Sequence, residues 1–230
     1  MKQQARAQVN VARIVLVALS LLALAWLPQR AAAAEPFEAS VRPLPAQVRA
    51  LLTGPAWRAG CPVGLSELRL LTVAHWGFDG RVHTGQLVVN RGAAYGLARV
   101  FRSLYDLRFK IHHMLLADAY GPAGGRPDDV TASFECRQSV PSPCVGGSRS
   151  GRWSNHAYGL AIDLNPRENP YVGCGRTRDP TREQYLDRSR LRRGMVTPAV
   201  VAAFRAIGWG WGGDWSGATK DYMHFSWNGR

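Results

Sequence analysis

Two apolar, β-rich runs, Leu68–Trp76 and Val82–Val89, stand on either side of an Asp79-Gly80 pair. Glycine tolerates positive φ, so an Asp-Gly pair between such runs predicts a tight antiparallel hairpin. Residues 93–106 then repeat Ala94, Leu97, Ala98, Phe101, Leu104 and Tyr105 at helical spacing, with arginines on the other face. Phe109–Ala117 returns to an extended pattern, a Gly/Pro/Asp loop follows at 121–130, and Leu160–Leu164 reads as a strand. Residues 166–195 form a long charged excursion. Thr197-Pro198 opens the last helix, with threonine as N-cap and Val200, Ala203, Phe204 and Ile207 as its core face. Gly208 ends it, and Tyr222–Trp227 is again extended. No repeat or polar linker divides the chain, so the expectation is one α+β domain, a central antiparallel sheet flanked by helices.

The 230 residues are 46% hydrophobic and 10% aromatic, which supplies a core and excludes a disordered chain. The net charge of +13, nearly all from arginine, predicts attraction to nucleic acid, a membrane or an acidic wall polymer. The first 34 residues discriminate among these. Lys2, Arg6 and Arg13 precede an uncharged run from Ile14 to Pro28, and Ala31–Ala34 follow. This is the pattern of a cleaved secretory signal, and the run is shorter than the ~20 apolar residues of a spanning helix. Cleavage after Ala34 removes four positive side chains, so the mature chain keeps 13 − 4 = +9. The expectation is an exported, extracytoplasmic protein without a permanent membrane anchor. Anionic wall polymer becomes the partner and nucleic acid drops out. Residues 35–60, rich in Pro, Ala and Arg, read as a leader with a helical turn or two at Gln47–Leu52, and the main domain as 61–230.

Cys61, Cys136, Cys144 and Cys174 all fall in the mature part. An even number in an exported chain suggests disulfides, with three possible pairings, of which Cys136–Cys144 is the most local. No pair has the Cys-x-x-Cys spacing of a thiolate metal site.

The chemistry is concentrated in two stretches. In Ser154–Asp163, His156 and Asp163 are seven apart, so an uninterrupted strand would point them to opposite faces. Gly159 lies between them and can bend the chain so that both converge. Asp163 is flanked by Ile162 and Leu164, a setting where a carboxylate is costly without a cation or partner. In Asp221–Phe225, His224 faces opposite to Met223 and Phe225, where a third ligand is wanted. Two histidine nitrogens and one carboxylate oxygen form a competent catalytic zinc set with one position left for water. Asp221 is placed to hydrogen-bond that water as general base. A surface histidine and a strand Asp paired with an arginine would account for the same letters.

Ser-x-His-Ala-Tyr-Gly-x-Ala-Ile-Asp-x-Asn-Pro at 154–166, Gly-Trp-x-Trp-Gly-Gly-x-Trp at 208–215 and Asp-Tyr-Met-His-Phe at 221–225 resemble the D-alanyl-D-alanine carboxypeptidase and L-alanyl-D-glutamate peptidase family. These are zinc peptidases of the lysostaphin and hedgehog-like fold group. The resemblance runs from about Cys61 to Trp227 and is strongest over 133–227. It implies His156, Asp163 and His224 as zinc ligands, Asp221 as catalytic acid/base, and peptidoglycan stem peptides as substrate. The best-known carboxypeptidase members carry Glu at the Asp221 position, whereas Asp resembles the endolysin-like branch. Arg137 matches the family arginine upstream of the first ligand, which implies substrate binding. A planar guanidinium suits a peptide carboxylate. Ser154 fits the same pattern, binding substrate or shaping the loop.

Other groups read more plainly. His112 and His113, adjacent in an extended segment, point to opposite faces and cannot share one site. His75 and His83 read as cross-strand surface residues, and Arg188–Arg193 as a solvated face attracted to anionic polymer. Trp209, Trp211 and Trp215 are candidates for the core or for a cleft wall. Asp128-Asp129 reads as a turn rather than a calcium site. The leading expectation is a zinc-dependent peptidase, either D-alanyl-D-alanine carboxypeptidase or L-alanyl-D-glutamate-type endopeptidase. The competing one is a non-catalytic wall-binding protein that retains the fold, and a retained carboxylate at 221 favours the enzyme.

Overall fold

The computed structural model describes residues 36–122, 127–142, 144 and 151–230. The expected signal at 1–34 lies outside the described residues. The long hairpin forms as the sequence predicts: β2 (Leu68–Trp76) pairs antiparallel with β3 (Val82–Asn90), from Leu68 opposite Asn90 to Trp76 opposite Val82. Gly80 sits at φ 80° in its turn.

The segment expected as a leader is part of this sheet. β1 (Ala39–Pro43) pairs antiparallel with β2, Ala39 opposite Val73 and Pro43 opposite Arg69. α1 (Ala46–Leu52) follows and buries Leu52. The compact unit therefore begins at Pro36. Only Val41 of β1 turns partly inward, so this edge strand shows no apolar alternation to read.

Both faces of the three-stranded sheet are covered, which explains why β2 is apolar almost throughout. On one face Leu71, Val73, Leu87 and Val89 pack with α2 (Ala94–Asp106) and α4 (Pro198–Arg205). On the other, Leu68, Leu70 and Val88 pack with Leu44, Leu52, Tyr120 and Phe134. α2 buries Ala94, Leu97, Val100, Phe101, Leu104 and Tyr105. Its Leu, Val and Phe side chains each contribute about 1.5–3 kcal/mol when fully buried. α4 is capped as predicted, the Thr197 hydroxyl accepting from the Val200 N–H.

Phe109–Ala117 is not a strand. It makes single bridges at Lys110 and His113 and then turns into α3 (Leu116–Tyr120), whose Leu116 and Tyr120 share one buried face. The expected central sheet is likewise divided. β4 (Ala161–Asp163), β8 (His224–Ser226) and β6 (Gly210–Trp211) form a second small sheet in the order β4-β8-β6. β5 (Tyr171–Val172) and β7 (Lys220–Asp221) form a third. The architecture is mixed α and β with small antiparallel sheets. Among the described residues no helix is long and apolar enough to cross a membrane.

All four cysteines are paired, Cys61 with Cys136 and Cys144 with Cys174. The local Cys136–Cys144 pairing is not used, because Cys136 is drawn to the N-terminal region, where its N–H donates to Ala56 O.

Candidate metal centre

The second sheet exists to bring two strands into one register. β4 and β8 place Asp163 directly opposite His224 and Ile162 opposite Phe225. Paired residues share a face and neighbours along a strand alternate. Ile162 and Phe225 therefore enter the core, where Phe225 stacks on Phe204 at 3.9 Å. Asp163 and His224 look out of the opposite face.

His156 reaches the same point from a 3-10 turn, Asn155–Tyr158, that ends at Gly159 with φ 66°. A Cβ at Gly159 would also meet the Asn90 N–H at 2.7 Å, so both backbone conformation and space demand glycine. The Ser154 hydroxyl accepts from the His156 N–H at the start of this turn. It acts on the loop that presents His156.

His156 Nε2 lies 3.2 Å from His224 Nδ1 and 3.3 Å from Asp163 Oδ2, and His224 Nδ1 lies 3.1 Å from Asp163 Oδ1. Ligand atoms on a tetrahedron about 2.1 Å from zinc lie roughly 3.4 Å apart, so the spacing suits a metal of that size. The outer nitrogens settle the tautomers. His156 Nδ1 faces Ser133 O at 2.6 Å and His224 Nε2 faces Arg230 O at 3.2 Å. The Ser133 carbonyl and the Arg230 main-chain oxygen can only accept, so each of these nitrogens carries a proton and donates. In the neutral rings the inner nitrogens, His156 Nε2 and His224 Nδ1, are then lone pairs converging with a carboxylate. Such outer hydrogen bonds orient metal-binding histidines. Three electron-pair donors aimed at one another repel unless a cation lies between them. His156, Asp163 and His224 thus fit a metal, and all their donor atoms lie within 4.8 Å of one another.

A proton on His156 Nε2 is the other cation that answers this convergence. Burial alone would push His156 down, but the charge and hydrogen bond of Asp163 more than offset it and lift its pKa. Burial works against Asp163 ionising, yet His156 and then His224 hold its carboxyl well below the usual range. Asp221, on β7, goes the other way. Burial first, then the charge of Asp163, pushes it up to about 7. Its Oδ1 is buried without a hydrogen-bond partner. Gly212 makes this placement possible, because a Cβ there would lie 2.4 Å from Asp221 O.

Arg137 is within electrostatic reach of His156 and Asp221 and is held by Glu135, Nε to Oε2 at 2.7 Å. Sequence reasoning missed Glu135, and also the Ser133 and Arg230 main-chain oxygens. Trp215 stands 5.9 Å from His224, ring to ring, beside the site. Trp209 is in the core, and Trp211 packs on Phe225 and donates to Tyr222 O.

The remaining histidines take no part. His113 approaches Asp118, and His112 packs on Phe78. His75 pairs across the hairpin with His83 as expected but is buried, not surface-exposed, and burial lowers its pKa to about 4. Arg188 also departs from the expected solvated face. It donates to Val196 O and lies over the Tyr222 ring. Asp128 pairs with Arg167 and Arg182, while Asp129 turns inward toward Glu168.

No solved structure matches the chain. Residues 148–227, which contain His156, Asp163, Asp221 and His224 and begin beyond Arg137, match the D-alanyl-D-alanine carboxypeptidase family, so the resemblance carried by the three motifs is a peptidase-family relationship over that stretch.

Proposed function

We propose that the chain is a zinc-dependent peptidase that hydrolyses peptide bonds in peptidoglycan stem peptides. The observation that carries this reading is the convergence of His156 Nε2, Asp163 and His224 Nδ1 near a buried carboxyl, Asp221, whose pKa is raised. His156, Asp163 and His224 would hold zinc, which when bound supplies Lewis acidity for the scissile carbonyl and for water.

The proton transfers belong to Asp221. Asp221 is a buried carboxyl on the strand beside the ligands, and as the general base it would accept a proton from the attacking water and return it to the leaving amine. Its burial withholds competing solvent. Arg137 would bind the carboxylate of the substrate peptide through its planar fork, in competition with Glu135. Ser154 would serve by fixing the His156 turn. The bond cut is either the terminal D-alanyl-D-alanine bond or the L-alanyl-D-glutamate bond. Export belongs to the same reading. The basic-apolar-small pattern of 1–34 supports it, as do the two disulfides, since such bonds persist in oxidising compartments.

Digestion of purified peptidoglycan followed by mass analysis tests this proposal. Loss of one alanine from pentapeptide stems, or scission between L-alanine and D-glutamate, is expected with zinc and not with chelator. Unchanged stems after treatment with zinc-loaded protein would overturn it.

A further inference from the structure

Arg108, Lys110, Arg192 and Arg193 line one cleft of about 290 Å³, together with the apolar side chains of Leu107, Phe109, Met195 and Val200. Among the described residues no acidic side chain forms a salt bridge with any of these four cations. None of the lining residues belongs to the metal centre.

The cleft is built rather than incidental. Arg108 and Lys110 both lie against the Trp76 ring, 5.0 and 4.7 Å from its centroid. Arg193 lies over Phe78 at 5.5 Å and donates to Phe78 O at 2.9 Å. Cation–π contacts fix these charges in direction, so less side-chain entropy remains to be lost on binding. Arg108 also holds a left-handed φ of 53°, a conformation uncommon for a residue with a side chain. The first turn of α4, with Thr197, adds the positive end of a helix dipole to the same wall.

Cations gathered together repel each other, and Lys110 is affected, although Asp79 acts the other way. Burial first, then Arg108 and Arg193, lowers its pKa. A self-repelling set of charges held in place by aromatic rings is relieved by an anion. Arginine forks favour phosphate oxygens over a simple point charge. The apolar floor of Phe109, Met195 and Val200 suits the carbon spacer between successive phosphates.

We propose that this cleft is a second binding site, separate from the metal centre, for a phosphodiester polymer with short carbon spacers. It holds the protein on that polymer while the metal centre works elsewhere. The site gives the excess positive charge of the chain a specific place of action, and it stands whether or not the peptidase reading holds.

The test is binding of the metal-free full-length protein, incapable of turnover, to poly(glycerol phosphate). Inorganic phosphate and phosphatidylglycerol vesicles serve as separate probes. The Arg108→Gln/Arg192→Gln double variant is expected to lose affinity about tenfold or more. The slope of log affinity against log salt should become shallower with each cation removed. Arg42→Gln/Arg91→Gln, the same charge change at exposed positions outside the cleft, is expected to retain most of the affinity. Arg192 makes no side-chain hydrogen bond to the fold among the described residues, so Arg192→Gln alone decides the matter if the double variant melts early. Equal losses in both double variants would reduce the effect to net charge and overturn the site. Absence of polymer binding, or binding to the vesicles alone, would also overturn it.

Discussion

Asp163 and Asp221 are withdrawn from water beside two histidines, whereas Asp129 and Glu168 are withdrawn beside one another. In the first pair the two carboxyls are driven apart. His156 and His224 hold Asp163 ionised, and that charge, after burial, helps push Asp221 up to about 7. In the second pair no cation has first claim. Burial and then Asp129 push Glu168 up to about 8, while Asp129 takes the N–H of Arg167. Asp129 Oδ2 and Glu168 Oε2 are both buried without a fixed donor. The second pair is stable when one proton is shared between two acids. The first needs a cation among its lone pairs. A raised carboxyl pKa alone therefore does not identify chemistry; the neighbouring electron-pair donors do.

The largest effect expected is at the ligands. His156→Ala removes one of three protein donors and should take the protein from about one zinc per chain to none after dialysis, with hydrolysis abolished. The same analysis on Glu168→Gln should find zinc unchanged. Equal zinc in wild type and His156→Ala would remove the distinction between the two pairs.

Next comes Asp221→Asn. The amide has nearly the shape of the acid but cannot accept a proton at neutral pH, so turnover should fall by about 10²–10⁴ with zinc retained. Asp221→Glu should keep partial activity, because the added methylene displaces the carboxyl without removing it. A fully active Asn variant would make Asp221 as structural as Asp129.

A smaller effect belongs to the main-chain oxygen that orients His224. Ser226 Oγ donates to the same Arg230 oxygen at 2.9 Å, and Asn155 Nδ2 also contacts it. Removing both donors in Asn155→Ala/Ser226→Ala should loosen that acceptor and weaken zinc binding about 10-fold, the lower end for such outer partners. Competition with a chelator measures it. An unchanged zinc affinity would show that His224 needs no such support.

These residues also mark how far the sequence could be read. His156, Asp163 and His224 were visible because a metal site would need side chains of those types, and Gly159 because the bend between them needs positive φ. The register that sets Asp163 opposite His224 was not visible, since spacing along one strand says nothing about its partner. The orienting main-chain oxygens of Ser133 and Arg230 were hidden for a different reason: every residue has a main-chain oxygen. β1 escaped notice because an edge strand with most side chains in water has no apolar period. The disulfide pairing stayed open among three possibilities, because sequence does not show that the fold carries Cys136 to Cys61. The hairpin, with nine residues in each strand and Gly80 at its turn, was legible throughout.

The smallest effect expected is in the second acid pair, and it has a definite sign. Glu168 has a folded-state pKa of about 8 against an unfolded value near 4.5. Between those values the unfolded chain has released the proton that the folded chain keeps, so stability falls as pH rises through this window. Glu168→Gln removes the group that must ionise, and its amide can donate to the unpartnered Asp129 Oδ2. The melting temperature of the variant should therefore match wild type near pH 5, where Glu168 is largely protonated, and exceed it by several degrees near pH 9. Hydrolysis should be unaffected at any pH, because Glu168 touches neither the metal ligands nor Asp221. Melting curves at the two pH values, with rates measured on the same preparations, check both halves. A variant less stable than wild type at pH 9 would mean that Glu168 is ionised in the fold and held by a cation. The two acid pairs would then differ in partner and no longer in protonation.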